Sequence, residues 1–310
     1  MILTLLLNNE MQIIRSVLVQ DESQTAGTIK TVDLPTNPLS HLVFTFKCLN
    51  VTDEATLAEI LARVTKIEVL YKGAAIFSAS MADLFALNVL LFKAVPVLTN
   101  RVATDDATRA ITLYIPFGRK LYNPTECFKA TKKGELQLQI TLNSTETACD
   151  GVIYQIEAVE LLGATPEKYL KVTSKSTTPT ATGDVDVELP IGNLLAAVLF
   201  YSTTVPTSTV WTTTVDKVKL LIDNVEFDYA SANWESLHGN ILNRGGYAGG
   251  YAAASGDDQI VKYALLDLMP NEGDELLVDT KGKSSVKVRV TAGDTNAFRT
   301  LPLELAAQPE

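Results

Sequence analysis

The chain has 310 residues, 46% of them hydrophobic and 20% charged, with a formal net charge of −10. That length and apolar fraction suit about two domains with sizeable cores. The acidic balance disfavours direct nucleic-acid binding, which calls for a basic face.

The chain opens MILTLLLNNE, an apolar run too short to span a bilayer and without the basic start of a secretory signal. Strands are predicted over 17–20, 43–46, 67–71, 111–115 and 136–142, several with period-two alternation that buries one face. Leu57, Ile60, Leu61 and Val64 have helical spacing, with Asp53 and Glu54 expected in the first turn, where the helix dipole favours acids. Ser80 and Ser231 are candidate N-caps of later helices. The apolar stretch 84–98 is interrupted by Asn88, Lys93 and Pro96, so it does not read as a membrane span. TTVPTSTVWTTT, over 203–214, suits an extended segment. The Gly-rich run 245–257 reads as a flexible surface loop, with Tyr247 and Tyr251 as possible contact anchors.

The second half of the chain repeats the first in outline. VDLPTNPLSHLV, from Val32, returns as VELPIGNLLAAV from Val187. VTKIEVLYKGAAIF, from Val64, is matched by VDKVKLLIDNVEF from Val215, with Lys72-Gly73 and Asp223-Asn224 as the two turns. TDDATRAITLYIPF (from Thr104) faces GDDQIVKYALLDLMP (from Gly256), and TKKGELQLQITL (from Thr131) faces TKGKSSVKVRV (from Thr280). AVEL at Ala158 resembles PLEL at Pro302. Each match is weak, but their order is the same in both halves. A duplicated β domain follows, with copies over 1–163 and 164–310 and a junction, GATPEKY, that carries Gly163 and Pro166. About eight strands per copy fit a jelly roll, so the expected class is all-β: two tandem jelly-roll sandwiches with short helical insertions.

Candidate chemistry is sparse. Cys48, Cys127 and Cys149 form no CxxC and no even-numbered framework, and they read as buried or indifferent thiols of a protein made in a reducing compartment. His41 and His238 occupy non-equivalent positions, which argues against a repeated His-based metal site. Asp105-Asp106 and Asp257-Asp258 sit at matching points of the repeat. Such pairs can join a Ca²⁺ site, but the remaining oxygens are not identifiable, and solvated loops are the expectation. The sequons at Asn50 and Asn143 read as chance. Trp211 and Trp234 do not make a glycan platform, and no nucleophile motif is present. No catalytic, cofactor-binding or metal residue is assigned, and no cofactor is expected.

Two collinear β-rich copies, an acidic balance and the lack of a catalytic motif together resemble the double jelly-roll major capsid proteins of the PRD1–adenovirus lineage, in the small bacterial or archaeal virus form. The resemblance implies a structural virion subunit, not an enzyme. It implies homotrimers of pseudo-hexagonal outline that tile an icosahedral shell and meet other trimers at lattice contacts. It also implies minor capsid or penton proteins and an underlying membrane as partners, with assembly in the host cytoplasm. MILTLLL would then pack against a neighbour in preference to lipid. The competing readings are a tandem β-sandwich that binds or hydrolyses glycans, and a viral spike or receptor-binding protein.

Overall fold

The computed structural model describes residues 11–99, 102–145, 148–207, 209–227, 231–245 and 258–310. Its first eight strands are β1 (Gln12–Ser23), β2 (Ile29–Asp33), β3 (Leu39–Asn50), β4 (Val64–Tyr71), β5 (Ala74–Ala79), β6 (Thr108–Pro116), β7 (Leu136–Leu142) and β8 (Cys149–Leu162). They pair in the orders β1-β8-β3-β6 and β5-β4-β7-β2. Two sheets that share the chain in this interleaved way make a jelly roll.

The second half continues with β9 (Lys168–Thr173), β10 (Lys175–Thr177), β11 (Gly183–Glu188), β12 (Leu194–Ser202), β13 (Val215–Ile222), β14 (Val225–Glu226), β15 (Ala232–Asn233), β16 (Tyr263–Asp267), β17 (Val278–Asp279), β18 (Val286–Ala292) and β19 (Phe298–Ala307). Leaving aside the short β10, β15 and β17, the orders are β9-β19-β12-β16 and β11-β18-β13-β14. This is the first topology again, strand for strand. Every sequence echo falls on an equivalent element. Lys72-Gly73 and Asp223-Asn224 both have two successive positive φ values, 49° and 82° in the first turn and 52° and 65° in the second. That is the turn type whose twist suits a tight antiparallel hairpin. β7 and β18 share one pattern of strictly alternating burial, as LQLQITL and VKVRVTA demand.

The helices α1 (Leu57–Ala62), α2 (Met81–Phe92) and α3 (Trp234–Gly245) lie in the connections. Thr56 and Ser80 cap α1 and α2 with full capping boxes, closed by Glu59 and Asp83. The first-turn acid of α1 is thus Glu59, while Asp53 and Glu54 precede the helix and Val64 already belongs to β4. Ser231 is not a cap: β15 intervenes and α3 starts at Trp234. The segment 203–207, with 209–214, carries no helix or strand, as its threonines suggested. The loop tyrosines Tyr247 and Tyr251, and the run MILTLLL, lie outside the described residues.

α2 and α3 each follow the short hairpin of their own half, and they pack on one another. The approach is close: a Cβ on Gly245 would stand 2.7 Å from Cγ1 of Val89. α2 is buried along most of its length, Asn88 included. The Asn88 amide accepts from Tyr114 N at 2.8 Å and donates to Tyr114 O at 2.7 Å, so it occupies the free edge of β6 as another strand would.

The halves are not separate in the sheet system. β5 pairs in parallel with β9 through Phe77↔Val172 and Ser78↔Thr173. One ten-stranded sheet therefore runs from β16 to β2 across the junction. The part of it that belongs to the second half is covered on both sides. Leu195, Val198, Phe200, Ala264, Leu266 and Phe298 enter the second sandwich. Their alternates Ala197, Leu199, Tyr263, Leu265, Leu301 and Leu303 enter a core shared with the first. Unbroken apolar runs such as LLAAVLF are what a strand buried on both faces requires. Leu199→Ala, on the shared side, is expected to cost about 2–5 kcal/mol. Urea unfolding followed by tryptophan fluorescence and by far-UV circular dichroism should keep one coincident transition, because both halves lose the same core.

Candidate assembly surface and interdomain seam

The most heavily bonded polar group between the halves is Asp83, at the start of α2. Its side chain is fully buried. Arg299 of β19 approaches it side-on, with Nη2 donating to Oδ1 at 2.7 Å and Nε to Oδ2 at 3.0 Å. The Tyr263 hydroxyl donates to Oδ1 at 2.9 Å, and Ser174 Oγ donates to Oδ2 at 3.4 Å. The same carboxylate closes the α2 cap by accepting from Ser80 N at 3.3 Å. Three residues of the second half thus converge on one acid of the first. Burial opposes the Arg299 charge, but Asp83 and Tyr263 lift its pKa above the ordinary arginine value. Burial, then the Asp83 charge, push the Tyr263 phenol up, so it stays a donor. Arg299 also lies over the Tyr201 ring, 3.7 Å from its centroid.

Further contacts extend the seam. Arg119 Nε donates to Glu126 at 3.1 Å, and Nη2 of the same guanidinium reaches Asp274 at 2.5 Å. Asp274 is also held from its own half, by Lys168 at 3.2 Å. Residues beyond β19 lie against the first half: Gln308 donates to Cys127 O at 2.8 Å and accepts from Lys129 N at 3.1 Å, and Tyr71 Oη donates to Glu310 O at 3.2 Å.

The residues singled out in the sequence do not converge. His41 is fully buried in β3, edge-on to Tyr114 and Tyr122 at 5.5 and 5.1 Å between ring centroids. Its Nδ1 is 2.9 Å from Ser40 Oγ, and among the described residues its Nε2 has no hydrogen-bond partner. His238 sits in α3 instead, stacked on Trp234, with Nδ1 donating to Tyr263 O at 2.7 Å. Trp234 is buried and Trp211 is 79% exposed, so the two tryptophans form no common platform. Asp105 and Asp106 occupy a turn in which Asp105 Oδ1 accepts from Asp106 N at 3.1 Å. Asp257 lies outside the described residues, and Asp258 is buried, accepting from Ile260 N and Val261 N at 3.1 and 3.3 Å. Among the described residues no group of three or more His, Cys, Asp or Glu side chains is placed to hold a metal. Asn50 is buried, its amide bonded to Val102 O and Thr104 O, which removes that sequon from solvent.

The surface that sequence reasoning missed is on β1. Among the described residues this strand is the edge of its sheet and has Ile13 and Val17 each 55% exposed, with Ile14 and the preceding Met11 also open. An apolar, unpaired sheet edge is what proteins avoid unless something covers it.

No protein-family model matches the sequence, and no curated protein sequence is similar to it. Its fold, however, is that of double jelly-roll viral major capsid proteins. The major capsid protein of Sulfolobus turreted icosahedral virus superposes with a TM-score of 0.70 at 15% identity, covering 96% of this chain and 97% of that one. The major capsid protein P2 of bacteriophage PM2 gives 0.66 at 12% identity, covering 96% and 99%. The capsid protein of the virus PBCV-1 gives 0.65 at 9%, covering 96% and 94%.

Two outcomes follow from this geometry. Arg299→Ala is expected to destabilise the protein by about 3–5 kcal/mol, since it leaves the buried Asp83 carboxylate uncompensated, and Asp83→Ala by less, since the Arg299 side chain is partly exposed. In a double-mutant cycle read by denaturant unfolding, the paired substitution should cost clearly less than the sum of the two. The second concerns acid. Burial, then the Arg15 charge, hold the His41 pKa down, from 6.5 to about 4. The unfolded chain therefore takes up this proton first as pH falls. The stability contributed by neutral His41 is complete above about 6.5 and is lost as pH drops toward 4. Between pH 7 and 5 the loss is about 2 kcal/mol. His41→Leu should flatten that part of the unfolding free energy against pH.

Proposed function

We propose that this chain is the major capsid protein of an icosahedral virus and acts as a structural subunit, not an enzyme. The observation that carries the reading is that the double jelly roll accounts for 96% of this chain and nearly all of each matched capsid protein. We assign one jelly roll to 1–163 and one to 164–310, with the divide in the loop between β8 and β9.

Three copies would place six jelly rolls about one axis and give a pseudo-hexagonal tile. The shared core and the buried Asp83–Arg299 contact support this reading, because a tile must carry load between its two sandwiches without bending. The apolar edge at Ile13 and Val17 would be covered by a second copy of the chain. Trimer–trimer contacts, minor or penton proteins at the vertices and a membrane beneath the shell complete the assembly, which would form in the host cytoplasm before residence in the virion.

Light scattering coupled to size exclusion should give three times the 33.6 kDa chain mass, and negative-stain images should show hexagonal outlines. An elongated fibrous trimer would favour a spike, and a monomer that cleaves glycans would end the capsid reading. Ile13→Asp with Val17→Asp should move the mass to that of one chain while leaving the circular dichroism spectrum unchanged.

A further inference from the structure

Cys48 and Cys149 are 101 positions apart in the sequence. The fold brings them together on neighbouring strands. β3 pairs with β8 through Leu49↔Asp150 and Asn50↔Cys149, beside a register shift between Lys47 and Leu49. Cys48 therefore lies diagonally across from Cys149. Both side chains belong to one hydrophobic core and are almost wholly buried, at 1% and 0% exposure. Cys149 is the largest influence on the Cys48 thiol and pushes its pKa up. Cys48, then the positive charge of Arg63, lower the Cys149 pKa against burial, Glu59 and Asp150. Arg63 and Arg109 are themselves buried, and both act on Cys48 as well. Gly151 completes the local fit. It has a φ of +55°, and a Cβ there would come within 2.8 Å of the Leu49 side chain, so the bulge that sets the diagonal depends on glycine. The third cysteine, Cys127, is also buried and free, and it lies outside this core cluster.

We propose that Cys48 and Cys149 form a redox-modification site that a small peroxide closes to an intramolecular disulfide. The Cys149 sulfur attacks one oxygen of hydrogen peroxide, the O–O bond breaks, and the departing hydroxide takes the thiol proton to leave as water. Cys149 is then a sulfenic acid. The Cys48 sulfur attacks the Cys149 sulfur, the S–S bond forms, and the hydroxyl leaves as a second water with the Cys48 proton. The two thiols lose two electrons and the peroxide gains them. Burial makes the first step slow, because peroxide reaches the pair through local opening. The bond staples β3 to β8 and closes a loop of about 100 residues, which constrains the unfolded chain strongly. A protein folded in a reducing cytoplasm would acquire the bond after release into an oxidising medium. This holds whether or not the chain builds a shell.

The test treats the folded full-length protein with hydrogen peroxide, then denatures it, alkylates free thiols and maps peptides by mass spectrometry without reduction. The expected product has lost two hydrogens, is alkylated at Cys127 alone and yields one cross-linked peptide pair containing Cys48 and Cys149. Its melting temperature should rise by about 5 °C and return on reduction. Cys48→Ser should instead stop at a Cys149 sulfenic acid that dimedone traps. Three alkylated cysteines after peroxide would overturn the proposal. So would a disulfide that includes Cys127 or links two chains, or sulfinic and sulfonic acids without the cross-link. The wild-type peptide map decides the matter even if a cysteine variant fails to fold.

Discussion

The strands β19, β12 and β16 are buried on most of both faces of their sheet, and much else in the molecule is a consequence. One side of that sheet closes the second sandwich, and the other lies on a core built mainly from the first. A sheet with two buried faces needs two partners of matching shape, so neither half reaches its native packing alone. Interiors packed at crystal-like density deform little, and the shared core couples the two sandwiches as a rigid pair.

Such a seam cannot be apolar throughout, because α2 starts inside it. Its first backbone N–H groups and the guanidinium of Arg299 require acceptors where solvent access is restricted. Asp83 answers several of these needs with one carboxylate. A hydrophobic residue there would leave Arg299 without its acceptor, and a second cation would add repulsion. The directional geometry also sets the position of β19 against α2, which dispersion contacts between leucines would allow to slide.

The repeat was legible because duplication preserves local chemistry. Two-residue turns that need positive φ, as at Lys72-Gly73 and Asp223-Asn224, remain recognisable after most of the sequence has diverged. So do Lys/Gly turns entering alternating strands such as β7 and β18. Ser80 was readable as a cap from its own chemistry, and the structure adds Asp83, three residues on, as the other half of a capping box. Ser231 misled because a two-residue strand can occupy the space between a serine and a helix, and no local signal marks that choice. The juxtaposition of Cys48 and Cys149 and the exposed edge at Ile13 and Val17 had no local signal at all. Both depend on which strand lies beside which, and on what remains uncovered once the sheets have formed.

The sequence by itself determined the class of element along most of the chain, the doubling of the domain, and the lack of a recognisable catalytic motif, because periodicity, turn chemistry and capping act over a few residues. Tertiary structure alone decided that the sheets join across the junction through β5 and β9, that Asp83 meets Arg299 216 positions away, and that Cys48 and Cys149 lie on neighbouring strands. Those outcomes come from burying the last apolar faces against one another, an interaction that has area and shape but carries no spacing that a linear pattern can record.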